Sequence, residues 1–276
     1  MIRLRSQMPL LVAALACACA NGQPGAGKPI ELCAYTLAFA DEFDTLSVAA
    51  HVLGDKRWTA HTPWNGDFGD AEFVNPGPRE PFSVAGGTLR ITARKDAQGH
   101  WRSGLMAAAD ATGNGHGVEY GYFEARMKMP PGPGTWPAFW LMSLQPAGDK
   151  RPTVEVDVVE YYGHQADRYH VTGHVWYPKP DQRMSRHEGS KILVPDGSLV
   201  DGFHTYGVRV EPTTITYYLD RRPVWQQMTP PELHTPLYPL VNLALGSGYS
   251  IADTPNPSTL EVDYVRVYRP AAHPAC

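Results

Sequence analysis

Long apolar runs are missing from nearly all of this chain. Beyond its first twenty residues nothing is long and uninterrupted enough to cross a bilayer as a helix, so no integral membrane segment is expected once that beginning is removed. A basic surplus is missing as well. The 24 Lys and Arg stand against 28 Asp and Glu, a formal net charge of −4, which offers no electrostatic footprint for nucleic acid. Sustained 3.6-residue apolar spacing is absent, which excludes a helical bundle. Cysteine is scarce: Cys17, Cys19, Cys33 and Cys276 are the four. What the chain does have is 43% hydrophobic residues with 19% charged, enough for a sizeable core and too little charge for disorder.

The beginning reads as an export signal over residues 1–20. Arg3 and Arg5 supply the positive start, Met8 to Ala16 are mostly apolar, and Ala18-Cys19-Ala20 fits a small-x-small cleavage site. The plainer alternative is a hydrophobic first strand, and the order of charge, apolar core and small residues disfavours it. Residues 21–30, rich in Gly, Pro and Ala, read as a flexible leader, and 31–276 as one domain. A secreted protein, periplasmic or extracellular, is expected to be a monomer here. Export makes a disulfide chemically feasible. A Cys33–Cys276 bridge requires the two ends of the domain to lie side by side, and two free thiols are the alternative. Cys17 or Cys19 carrying a lipid anchor is a further alternative, although neither matches a lipoprotein signal well.

The 26 Gly and 26 Pro divide the domain into short segments, and those segments alternate with period two. Leu89, Ile91 and Ala93 share one side of Thr88 to Ala93. Phe123, Ala125, Met127 and Met129 form an apolar row opposite Tyr122, Glu124, Arg126 and Lys128. Tyr206 to Glu211 behaves alike, and Ile215 to Leu219, Leu240 to Leu245 and Leu260 to Tyr268 fit further strands. Many short strands separated by turn residues predict an all-β sandwich of two antiparallel sheets.

One strand stands apart from the rest. In Thr153-Val-Glu-Val-Asp-Val-Val-Glu160 the valines alternate with Glu155 and Asp157, placing both acids on one face. Like charges this close raise at least one pKa, and a purely structural strand has no reason to gather them. Glu160 follows Glu155 by five positions, so a regular strand points it to the opposite face. A β-bulge at Val158-Val159 restores its phase, and such a bulge is predicted there. Two carboxyl groups on one surface suit glycoside cleavage, in which one attacks the anomeric carbon and the other protonates the departing oxygen.

The pattern Glu155-x-Asp157-x-x-Glu160 resembles the bulged catalytic motif of glycoside hydrolase family 16, in its laminarinase-like and agarase-like branch. Phe39-Ala-Asp-Glu-Phe-Asp44, Tyr120 to Arg126, Thr135 to Trp140, Tyr238 to Gly246 and Val262 to Tyr268 resemble other stretches of that family in the same order. The resemblance implies a concanavalin-like β-jelly-roll with a concave substrate cleft. It also implies a retaining endo-glycosidase acting on a β-linked polysaccharide, a β-1,3-glucan or a bacterial exopolysaccharide. In that reading Glu155 is the nucleophile, Glu160 the general acid/base, and Asp157 an assistant between them. No cofactor is implied for catalysis. A structural calcium ion is implied, with Glu42, Gly87 and Asp263 at matching places to supply oxygen ligands, ordinary surface or strand-end acids being the alternative for Glu42 and Asp263. A transglycosylase on the same acids, and a carbohydrate-binding protein on the same sandwich, are the alternatives.

Sugar rings stack on exposed aromatic faces. Trp136 and Trp140 fall on one side of their strand and are candidate substrate-binding residues, with core packing as the alternative. Trp58, Trp64, Trp101, Trp176 and Tyr161 are weaker candidates. His170 and His174 share a face. Two histidines do not make a zinc site, and His174 is expected to hydrogen-bond near the acids or the sugar, with a structural histidine as the alternative. The loop Thr112 to His116 and the stretch Pro178 to Lys191 match no pattern that specifies a linkage.

Overall fold

The computed structural model describes residues 27–78 and 80–276. The expected signal, with Cys17 and Cys19, and most of the leader lie outside the described residues. Among those described, 18 strands form two sheets of ten and eight, with only a four-residue α-helix, Ser198–Asp201, and two short 3-10 turns. The long strands pair antiparallel, as expected. Two short edge pairs are parallel, Val48–Ala49 with Trp58–Thr59 and Glu72–Phe73 with Trp101–Ser103, because loop segments dock there as two- or three-residue strands.

The eight-stranded sheet positions the acids. Its central order is Arg186–Leu193, Arg168–Trp176, Thr153–Glu160, Thr135–Ser143 and Leu237–Leu245. Val154, Val156, Phe139, Leu141 and Val241 point from it into the core. There they meet Phe123, Ala125, Met127, Val208 and Val265 of the ten-stranded sheet. The apolar rows legible in the sequence are therefore the facing surfaces of the sandwich. Several strands are buried on their other face too. In Gly121–Lys128 the outward Glu124 is fully buried, clasped by the Arg221 guanidinium at 2.8 and 3.0 Å. Tyr122 beside it packs against Tyr35, Tyr218 and Tyr268.

The termini meet. Tyr35–Asp41 pairs with Ser258–Pro270, and Cys33 is bonded to Cys276 across Cα atoms 5.7 Å apart. The main-chain N–H of Ala275 donates to the Cys33 carbonyl beside it. Of the implied calcium ligands, Glu42 is held by both nitrogens of Arg266 at 2.7 and 2.8 Å, and Asp263 by Arg126 at 2.7 Å. Gly87 turns at φ 71 near the Glu42 main-chain oxygen. No group of three ligand side chains among the described residues includes these positions, so main-chain oxygens would have to complete a set there.

Candidate active site

The bulge lies where the sequence places it. Asp157 pairs with Thr172 and Glu160 with His170, so Val158 and Val159 together oppose Val171 alone. On the other side Trp140 pairs with Asp157 and Ala138 with Glu160. Directly paired residues share a face, so Glu155, Asp157 and Glu160 line one surface with Met142, Trp140 and Ala138. The inserted residue allows both valines to stay buried while the third acid turns outward.

Each acid has its own partners. Glu155 accepts from the Trp176 indole N–H at 2.7 Å. Asp157, almost fully buried, lies 3.1 Å from His174 Nε2. Glu160 accepts at one oxygen, Oε1, from both the Trp136 indole N–H and the Tyr162 hydroxyl, each at 3.1 Å. Burial, reinforced by the charge of Asp157, pushes Glu155 up to about 8. Burial and the neighbouring Glu160 push Asp157 well up. Burial raises Glu160 as well, and the Trp136 and Tyr162 donors offset part of that rise. Three carboxyl groups in one poorly solvated surface cannot all be charged, so the cluster keeps protons at neutral pH. A site that holds one acid protonated beside another able to ionise is equipped for paired acid and nucleophile chemistry.

A long loop roofs part of this face. Asp67 ties it down by accepting from Thr62 N–H at 3.0 Å and contacting His61 Nδ1 at 2.6 Å. Gly69, at φ 82, lets it run against Leu245, where an added Cβ would stand 2.9 Å from the carbonyl oxygen. Phe68 and Trp64 thereby reach over the acids, lining a small cavity with Trp136, Trp140, Asn242 and the three carboxyl groups. A second cavity of about 350 Å³ continues past Glu155, between Trp64, Trp176, Tyr238 and the Pro146-Ala147-Gly148-Asp149 loop.

The aromatic candidates separate accordingly. Trp136 faces the cleft, half-buried, between Phe68 and Tyr162. Trp140 is on the same face but only 4% exposed, its N–H donated to Asn242 at 2.8 Å and its ring edged by Trp64 and Phe68. It is floor rather than platform. Trp64 and Trp176 are 40% and 44% exposed beside the acids, which makes them stronger stacking surfaces than either. Trp58, Trp101 and Tyr161 belong to the core. His174 stacks flat on Trp176 at 5.0 Å, and with His170 it sits on the strand flanking the acids. The sequence reading missed Phe68, Asn242 and Tyr162. For the first two no local signal exists. Tyr162 follows Glu160 by two, a spacing that strand alternation already puts on the acid face.

Comparisons with known proteins agree with this geometry. A family model described as "Beta-porphyranase A-D, GH16 domain" matches residues 35–270. The chain is 32% identical over 257 residues to the endo-1,3-1,4-beta-glycanase EglC of Rhizobium meliloti (strain 1021). It is 33% identical over 259 residues to ExsH, an endo-1,3-1,4-beta-glycanase of the same organism. These matches cover 84% and 83% of this chain and 51% of each relative, so the chain spans about half the length of the curated relatives. Among solved structures SCLam, a non-specific endo-beta-1,3(4)-glucanase, superposes with a TM-score of 0.68 at 25% identity, covering 90% of this chain and 96% of that one. The catalytic domain of a laminarinase from Thermotoga petrophila RKU-1 shares the fold at a TM-score of 0.64 and 22% identity, covering 86% of this chain and 98% of that one. With its bulged acidic strand and a family match over most of its length, the chain belongs to glycoside hydrolase family 16.

Proposed function

We propose that this chain is a retaining endo-hydrolase of a β-linked polysaccharide, a β-1,3-glucan, a mixed-linkage glucan or a bacterial exopolysaccharide, acting outside the inner membrane. The observation that carries the reading is the bulge, which sets three carboxyl groups on one face and leaves the outer two with separate anchors. In the reactive form the protons of the cluster sit on Asp157 and Glu160, which removes their charge from beside Glu155, and Glu155 attacks the anomeric carbon as the carboxylate, supported by the Trp176 N–H. The glycosidic C–O bond breaks, its electron pair goes to the departing oxygen, and Glu160 gives that oxygen its proton. Water then attacks the same carbon, returns a proton to Glu160, and releases Glu155. Asp157 holds a proton beside Glu155, as the raised pKa favours, and steadies its charge by hydrogen bonding. Trp64, Trp136 and Trp176 offer faces for sugar rings on both sides of the acids. The endo mode is supported by the cleft continuing past Glu155 rather than closing there.

The Cys33–Cys276 bond suits an exported protein, and no described helix is long and apolar enough to cross a membrane. Reducing ends released from a panel of β-glucans and exopolysaccharides test the reading. Wild type is expected to cleave at least one polymer, with Glu155→Gln slower by more than about 1,000-fold. Binding without cleavage by wild type would instead favour a carbohydrate-binding protein.

A further inference from the structure

The acid/base candidate is gripped on one side only. Glu160 Oε1 accepts two hydrogen bonds, from Trp136 and from Tyr162, while none of the described side chains donates to Oε2. Tyr162 is itself braced. Its ring stacks parallel to Trp136 at 14° and packs against Tyr249 and His170. Ser247 lies near its hydroxyl. Ser247 holds a left-handed φ of 55 between Gly246 and Gly248, which are left-handed too. A non-glycine residue in that region is strained, and strain of this kind persists where surroundings over-determine it. The loop after Leu237–Leu245 is thus bent toward Tyr162.

We infer that Tyr162 is a positioning residue for the acid/base: with Trp136 it occupies Oε1 of Glu160, so that Oε2 carries the proton handed to the departing glycosidic oxygen. The inference rests on the acid/base reading of Glu160. In the transfer the Oε2–H bond breaks, an O–H bond forms on the leaving sugar, and the new carboxylate charge falls on a group already holding two donors at its other oxygen. Those donors strengthen as the charge develops, which favours the products of proton transfer. Burial and the charge of Glu160 hold the Tyr162 phenol above its ordinary range, so it remains a donor wherever the enzyme works. The other titratable groups facing Glu160 are Asp157 and Glu155 on its own strand, His170 and His174 on the neighbouring strand, and His164 and Tyr249 on the flanking loops.

Tyr162→Phe keeps the ring and removes the hydroxyl. The test compares kcat/KM, across pH, on the polysaccharide that wild type cleaves and on a dinitrophenyl β-glycoside of the same sugar, whose leaving group departs without a proton. The expected result is a roughly tenfold loss on the polysaccharide and less than about twofold on the aryl glycoside. The alkaline limb on the polysaccharide should rise by about one pH unit, the equivalent of one charge-assisted hydrogen bond. Equal losses on both substrates, or an unmoved limb, would overturn the inference. Carboxyl-carbon NMR titration of Glu160 in both proteins needs no turnover. If wild type cleaves nothing, the hydrolase reading falls, and this titration still decides the positioning claim: a rise in Tyr162→Phe supports it and an unchanged midpoint overturns it.

Discussion

Glu155 is a carboxyl group in a place that disfavours its charge, and that has a thermodynamic signature separate from activity. A carboxyl held at about 8, against an ordinary 4.5, binds its proton more tightly in the folded chain than in the unfolded one. The fold therefore loses stability as pH rises from near 4.5 toward 8, and the loss is complete above that range. Gln carries no charge to desolvate. Glu155→Gln is expected to melt several degrees above wild type at pH 8.5, on the order of 1–3 kcal/mol, with the difference fading below pH 4.5. Thermal denaturation at the two pH values checks this, and an equal or lower melting temperature at pH 8.5 would remove the basis for it. The same residue that limits stability is the one the proposed chemistry requires, the usual trade between activity and stability.

At the scale of the element, one inserted residue and the bulge that absorbs it set the phase of the site. Deleting Val158 leaves Glu160 four positions after Glu155, a spacing that strict alternation alone puts on the acid face, so the three acids stay together without a bulge. The deletion is therefore expected to retain measurable hydrolysis, whereas Glu160→Gln, with the bulge intact, is expected to lower it by more than about 100-fold, the contribution of a placed acid. Reducing-end assays of both proteins check this, and a deletion as inactive as Glu160→Gln would show that the bulge does more than restore the phase. This strand was readable because its pattern is local: valines and acids alternate, and the single failure of phase at Glu160 names the position of the bulge. The burial of Glu124 was not readable, since its cover comes from Arg221, 97 positions away. Trp64 and Trp176 were undervalued for a similar reason. Their exposure depends on a loop pinned by Asp67 and on a strand end, neither of which leaves a periodic signal.

At the scale of the whole molecule, the described fold is closed where its outermost strands pair. The first long strand lies along the last, and the Cys33–Cys276 bond spans 243 residues. A cross-link over so long a loop restricts the unfolded chain, an effect of about 2–5 kcal/mol. Cys276→Ser is expected to lower the melting temperature by roughly 5–15 °C while leaving room-temperature activity unchanged, since the bond lies away from the acids. Melting curves with and without reductant check this, and identical curves would show that strand pairing alone secures the ends. The sandwich as a whole was legible because its inward rows repeat every second residue along most strands. The shape of the cleft was not, because loops far apart in sequence build it. The central claim, that Glu155 and Glu160 work as a retaining pair, is tested most directly by proton NMR of the first products. The account predicts that the newly formed reducing end appears as the β-anomer before it mutarotates. Initial appearance of the α-anomer would contradict it, because a single displacement by water would then have inverted the carbon that Glu155 is said to hold.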